Sequence, residues 1–228
     1  MAHSGIEVLF QGKIFLRLMG GLWTSVWIAG GVSLGFGLLL GTFLGVLRTL
    51  KNAVLRVVLR LYLEFFRIVP TIVLLFLVYY ILPRQFHVEV SAEWMAVLAF
   101  SLWVSAEFSD IVRGALESVP KHQREAGLAL GLTKGQLFVH VLMPQAFMLE
   151  LPAAINLATR VVKTTSLLII ISVMDVINVG QQIIEANNQQ YPSGVFWICG
   201  FIFMLYFIVD YPLSLISKML QQKFSANL

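Results

Sequence analysis

The chain has 228 residues, of which 58% are hydrophobic and only 12% are Asp, Glu, Lys or Arg, against about 25% charged in an ordinary soluble domain. So few charges cannot cover a water-soluble fold while apolar runs such as residues 34–47 stay unbroken, which makes the bilayer the solvent. At about 20 residues per helical crossing, the length holds five or six spans and leaves no room for a separate soluble catalytic domain.

The net charge of +4 is read from where the cations fall, and it reports topology rather than affinity for nucleic acid. A lone Cys199 excludes a disulfide framework within the chain and reads as a buried apolar thiol. At the N-terminus, Glu7, Val8, Leu9, Phe10, Gln11 and Gly12 match the recognition core of a viral protease used to remove purification tags. Such a site normally continues Gly-Pro, whereas Gly12 here leads into Lys13, Ile14, Phe15, Leu16, Arg17 and Leu18, a basic and apolar mix suited to a helix at the membrane interface. Residues 1–19 are therefore read as a native interfacial segment, with a tag remnant as the alternative. No cleavable signal is expected.

The first strong span covers residues 22–47, and Arg48, Lys51, Arg56 and Arg60 behind it place its end in the cytoplasm. Gly37, Gly41 and Gly45 recur every four residues and form one bare face for close helix packing. Residues 53–82 are too long for one straight crossing. They read as an amphipathic cytoplasmic approach to Phe66, a break between Arg67 and Pro70, and a membrane-deep part ending before Pro83. Arg84, His87, Glu89 and Glu93 form an outer loop.

The third span, residues 94–116, carries Glu107, Asp110 and Arg113 on one helix face through spacings of three. Residues 118–132 form an inner loop with a short helix opened by Pro120 and closed by Gly131. Residues 136–176 are apolar but interrupted by Pro144, Pro152, Asn156, Arg160, Lys163, Thr164, Thr165 and Ser166. Such a segment is expected to face neighbouring helices or a wet cavity rather than lipid. Residues 178–193 form an outer connection, and the last span, residues 195–216, ends in Lys218 and Lys223. The sum is an all-α membrane protein with about five crossings, its N-terminus outside and its C-terminus cytoplasmic. Lys13, Arg17 and Arg84 are the cations that run against this polarity.

Chemistry is mostly absent. No GxxxxGK[ST] segment cradles a nucleotide. His3, His87, His122 and His140 are scattered without metal-ligand spacing, and no GxSxG elbow accompanies the serines. Covalent catalysis is not expected.

One segment is specific. Glu125, Ala126 and Gly127 are followed after three residues by Gly131, then after nine by Val141, Leu142, Met143 and Pro144. This resembles the EAA motif of permease subunits of ABC importers: Glu-Ala-Ala, three residues, Gly, nine residues, an aliphatic, any residue, Leu-Pro. Gly127 and Met143 are mild departures. The likeness extends toward the polar amino-acid branch of that family. Ser118, Val119, Pro120, Lys121, His122 and Gln123 resemble its Ser-Val-Pro-Lys-Gly-Gln. Lys163, Thr164, Thr165, Ser166 and Leu167 resemble its Lys-Asp-Thr-Ser-Leu, and Arg67 and Pro70 keep the ends of its Phe-Arg-Gly-Thr-Pro. Glu107 and Asp110 stand where the family usually has Tyr and Glu. The likeness runs from about Leu22 to the C-terminus.

The resemblance implies a type I importer permease over residues 20–228, with a cytoplasmic coupling helix at about residues 119–132. It implies two copies of an ABC ATPase subunit binding ATP and Mg, no cofactor in this chain, and a second permease, either a homodimer partner or a related chain. A periplasmic or surface-anchored amino-acid-binding protein and a multi-pass place in the bacterial inner membrane follow from the same likeness. Ala126, Gly127 and Ala129 are expected to form a bare ridge for the ATPase groove, with Lys121, Arg124 and Glu125 at its rim and Gly131 ending the helix. Intramembrane charges cost up to about 3 kcal/mol each on insertion scales. Arg160, Lys163, Glu107 and Asp110, with Asn156, Thr164, Thr165 and Ser166, are therefore expected to line the substrate path, unless the cations pair internally with Glu107, Asp110 or Glu150. Arg160, standing where the family has a small polar residue, points to glutamate, aspartate or glutamine. The competing reading is a stand-alone secondary carrier or ion channel, which would transport without an ATPase.

Overall fold

A computed structural model describes residues 5–225, all of whose regular elements are helical; residues 1–4 of the N-terminal segment, His3 among them, lie outside the described residues. Eight helices organise it: α1 Ile14–Arg48, α2 Ala53–Ile68, α3 Thr71–Phe86, α4 Ala92–Ser118, α5 Lys121–Ala129, α6 Lys134–Ile171, α7 Val176–Asn187 and α8 Gly194–Ser225. Four of them, α1, α4, α6 and α8, are long and apolar enough to cross a membrane, and α2 with α3 makes a fifth, bent span.

The bend measures 104° and sits where the sequence places it. Pro70 forces the preceding Val69 into an extended conformation (φ −69°, ψ 123°), which ends α2 at Ile68. At Pro83 and Pro144 the helix runs on because the turn that each ring would strike is widened. Pro83 follows a π-helical stretch at Leu77–Ile81, and Pro144 follows one at Phe138–Leu142. In each case the carbonyl four residues back, on Tyr79 or His140, lies inside the widened turn.

α4 is the axis, with 72% of its most apolar window buried against 28–39% for the other unbroken spans. α1 lies along it by the glycine seam. A methyl added at Gly41 would sit 2.8 Å from the Phe108 Cβ and 3.0 Å from the Ser105 carbonyl oxygen, and Gly37 and Gly45 abut Val104 and Val112 in the same way. Phe100, Leu75, Ile28 and Leu168 fill the outer half of the core, while Val104, Phe108, Leu157 and Val161 fill the inner half.

α1 starts eight residues before the expected span, so the stretch from Ile14 to Met19 is the first part of one continuous 35-residue helix. At about 1.5 Å per residue that helix outreaches a hydrocarbon core of about 30 Å. Ahead of it, a 3-10 turn at Ile6–Phe10 inserts Val8, which is fully buried, beside Gly194 and Tyr191. Cys199 is exposed, contrary to the apolar thiol expected from its neighbours, because much of α8 is uncovered in the single chain.

The start of α7 is pinned against α1. Asp175, with no exposed surface, caps α7 by accepting from the backbone N–H groups of Asn178 (2.9 Å) and Ile177 (3.3 Å), and Val176 N–H donates to Ser25 Oγ. Burial pushes the Asp175 carboxyl up to about 6, with the backbone N–H groups of Asn178, Ile177 and Asp175 itself opposing it. The folded chain thus holds this proton up to about pH 6, whereas the unfolded chain releases it near pH 4, so stability falls by up to about 3 kcal/mol as pH rises through that window. Asp175→Asn, which keeps a capping oxygen, is expected to flatten thermal unfolding midpoints between about pH 4 and 6; an unchanged slope in the variant refutes the assignment.

Candidate functional site

Two regions carry chemistry: a ribbon of charges along α4, and the short helix α5. The ribbon begins at Asp110, whose carboxylate receives three arginines. Arg48 from the end of α1 approaches Oδ1 at 3.1 Å, Arg113 from α4 itself at 3.0 Å, and Arg67 from the end of α2 reaches Oδ2 at 3.4 Å. Arg113 continues to Glu117 at 2.6 Å, and Arg48 donates to Ser109 Oγ at 3.3 Å. Arg67 also lies 3.9 Å from Glu107, and Glu107 receives Arg160 of α6 at 2.9 Å. Four arginines and three carboxylates thus form one connected ribbon across α1, α2, α4 and α6. The internal pairing of Arg160 with Glu107 is the arrangement weighed against a free substrate cation. Arg160 nonetheless keeps half of its side chain exposed, 53%.

Asn156, Arg160 and Lys163 share the uncovered face of α6, but their partners differ. Lys163 turns to α8, where it lines a cavity of about 590 Å³ with Ser166, Gln181, Phe203 and Tyr206, and a second of about 430 Å³ with Phe207, Asp210 and Tyr211. Arg160 and Lys163 are therefore not brought together into one clamp. Thr164, Thr165 and Ser166 each donate to a backbone carbonyl of their own helix, those of Arg160, Val162 and Lys163. Thr165 is fully buried against Tyr206 and does not face the cavities that Lys163 lines. Glu150 is buried and lines a third cavity with Thr42 and Phe147, away from both cations.

Asp210 was not singled out from sequence. It is buried, its Oδ1 has no hydrogen-bond partner, and it faces the cavity shared with Lys163. An acid in the middle of the last apolar span was the available signal.

α5 is shaped by its ends. Pro120 precedes its first residue, and Gly131 closes it in the left-handed region (φ 81°), with Gly131 N–H bonding Leu128 O and Leu132 N–H bonding Gly127 O. That pair of bonds is a Schellman motif, whose positive φ favours glycine. Ala126 and Ala129 are exposed, as expected of a docking ridge, and Leu130 joins them on the same face at 82% exposure. Two residues correct the expectation. Gly127 is the buried residue of the helix, packed on Leu137 and Leu132 of this same chain, so it seats α5 rather than a partner. Arg124 is no rim residue either: it donates to the Leu116 carbonyl at 2.6 Å and caps α4. Lys121 and Glu125 form an exposed pair at 3.2 Å.

A bundle of membrane-spanning helices with a broken second span, a charged ribbon at the axis helix and an exposed loop helix marks an integral membrane protein. The chain belongs to the family of binding-protein-dependent transport system inner membrane components, which matches residues 37–224. Similar proteins include the L-cystine transport system permease protein TcyB of Bacillus subtilis (strain 168), 34% identical over 162 residues, 71% of this chain and 67% of that protein. The glutamine transport system permease protein GlnP of Escherichia coli (strain K12) is 32% identical over 163 residues, covering 71% and 72%. The arginine transport system permease protein ArtQ of Bacillus subtilis is 30% identical, covering 73% and 74%. The fold matches the crystal structure of an amino acid ABC transporter with histidines (TM-score 0.81, 24% identity, 92% of this chain and 95% of that one). It also matches the inward-facing MetNI methionine ABC transporter (TM-score 0.76, 18% identity, 94% and 99%).

Asp110→Ala is expected to cost about 1–3 kcal/mol, because it strands arginines that are only partly removed from water. Asp110→Ala/Arg67→Ala should recover part of that loss in thermal unfolding of the purified chain; a double variant no more stable than the single one counts against the ribbon.

Proposed function

We propose that the chain is the permease subunit of an ATP-driven importer that carries a polar amino acid, glutamate, aspartate or glutamine, across the inner membrane by alternating access. The observation that carries the coupling half of this reading is the uncovered face of Ala126, Ala129 and Leu130 on α5. Positive-inside topology puts this helix in water, where an apolar face beside small residues is a partner seat. The partner is an ABC ATPase, two copies to a complex, which binds the ATP and Mg that this chain has no motif to hold. A second permease and an amino-acid-binding protein outside complete the assembly.

The amino-acid half is supported by relatives named for cystine, glutamine and arginine transport. The path runs along Asn156, Arg160 and Lys163 of α6, with Glu107 opposite Arg160 and Asp210 opposite Lys163. An acidic side chain must displace Glu107 from Arg160 to use that guanidinium, whereas an amide needs only a spare N–H donor. Lys163 makes no ion pair within 4 Å among the described residues, although its charge acts on Asp210 across their shared cavity, and it suits a substrate carboxylate.

Leu130→Asp is expected to weaken ATPase binding by about tenfold or more with the permease fold intact, read by co-purification and by substrate-stimulated ATP hydrolysis. Gly127→Trp should instead destabilise the chain itself. Full coupling in Leu130→Asp sinks the seat. Arg160→Ser is expected to shift uptake selectivity among glutamate, aspartate, glutamine and arginine; unchanged affinity and selectivity sink the role given to Arg160.

A further inference from the structure

α2 presents three different stripes. Leu59, Leu63 and Phe66 are buried in the bundle, and Val54, Val57, Leu61, Phe65 and Ile68 are uncovered. Between them, Arg56, Arg60, Glu64 and Arg67 line a cavity of about 540 Å³, closed on the far side by Arg48, Asp110, Arg113 and Glu117. Most of these charges are spent on each other, since Arg48, Arg67 and Arg113 converge on Asp110 and Arg113 also holds Glu117. Arg56 and Arg60 are different. They stand one turn apart on the cavity wall and make no ion pair among the described residues. The cavity lies at the ends of α1 and α4, which the cation distribution puts at the cytoplasmic surface.

We propose that this cavity binds the phosphate headgroup of an anionic phospholipid of the inner leaflet, held by Arg56 and Arg60, with its acyl chains along the uncovered stripe of α2. Charge complementarity selects the occupant. Two unpaired guanidinium groups match one phosphodiester, and basic pockets between helices on the cytoplasmic side are suited to such headgroups. Leu61 follows Arg60 and Val57 follows Arg56, so the apolar stripe borders the arginines and favours a molecule that is anionic at one end and apolar at the other. Free phosphate would use only the cavity, and a second copy of the chain only the stripe.

Lipid retention is measured by native mass spectrometry of the full chain released from nanodiscs holding equal amounts of phosphatidylglycerol and phosphatidylcholine. The wild type is expected to keep phosphatidylglycerol preferentially. Arg56→Gln/Arg60→Gln should lower that preference by about fivefold for each arginine removed, and Glu64→Gln should raise it. Equal retention of the two lipids by the wild type, or an undiminished preference in Arg56→Gln/Arg60→Gln, overturns the proposal. So does displacement of the bound lipid by inorganic phosphate, which would show a free-anion site. Leu61→Cys, introduced together with Cys199→Ser, is expected to stay monomeric on oxidation; a disulfide-linked dimer would show that a second copy covers the stripe and would overturn the assignment to lipid.

Discussion

A carboxylate drawn partly out of water is costly unless it is paired, and Asp110, at the cytoplasmic end of the bundle, is paired three times over, by Arg48, Arg67 and Arg113. Those arginines come from three helices, so one side chain ties the end of α1 and the break of α2 to the axis helix α4. The glycine seam makes this tie reachable. Only because Gly37, Gly41 and Gly45 let α1 lie directly on Val104, Phe108 and Val112 does Arg48 arrive beside Ser109 and Asp110. The break before Pro70 does the same for α2, since Arg67 stands at the helix end that the proline creates. The seam, the break and the charges form one construction.

That construction joins the two functional regions. Arg124 of α5 caps the last turn of α4 through the Leu116 carbonyl, and only Val119 and Pro120 separate the two helices. A push on the exposed face of α5 therefore meets α4 through a short covalent link and a charge-assisted hydrogen bond. α4 in turn carries Glu107, the partner of Arg160 on the uncovered face of α6. Few soft elements lie between the loop helix and the pair, which suits the coupling role proposed for α5.

Much of this was legible in the residues because bilayer physics leaves strong marks. Apolar length gave the spans, Pro70 gave the bend, and the spacing of Glu107, Asp110 and Arg113 gave the charged face of α4. The misses share a cause: a pattern gives a helix face but not what lies against it. Gly127 belongs to the small-residue run of α5, yet Leu137, ten residues on, turns it inward. Arg124 reads as a surface cation until the α4 carbonyl appears beside it. Arg160 and Lys163 stand one turn apart, but α4 claims one and α8 faces the other. Thr165 reads as a polar path residue and is sealed by Tyr206, while Cys199 reads as buried and is open. Asp210 escaped notice in an apolar run because a single acid there has no motif to announce it.

The most direct measurement is uptake of labelled glutamine, glutamate and aspartate into proteoliposomes holding this chain with its ATPase partner, with the amino-acid-binding protein outside and ATP inside. Accumulation against a gradient that requires both ATP and the binding protein is the predicted result. Equal uptake by the chain reconstituted alone, without ATPase or nucleotide, would contradict the account and show a stand-alone carrier.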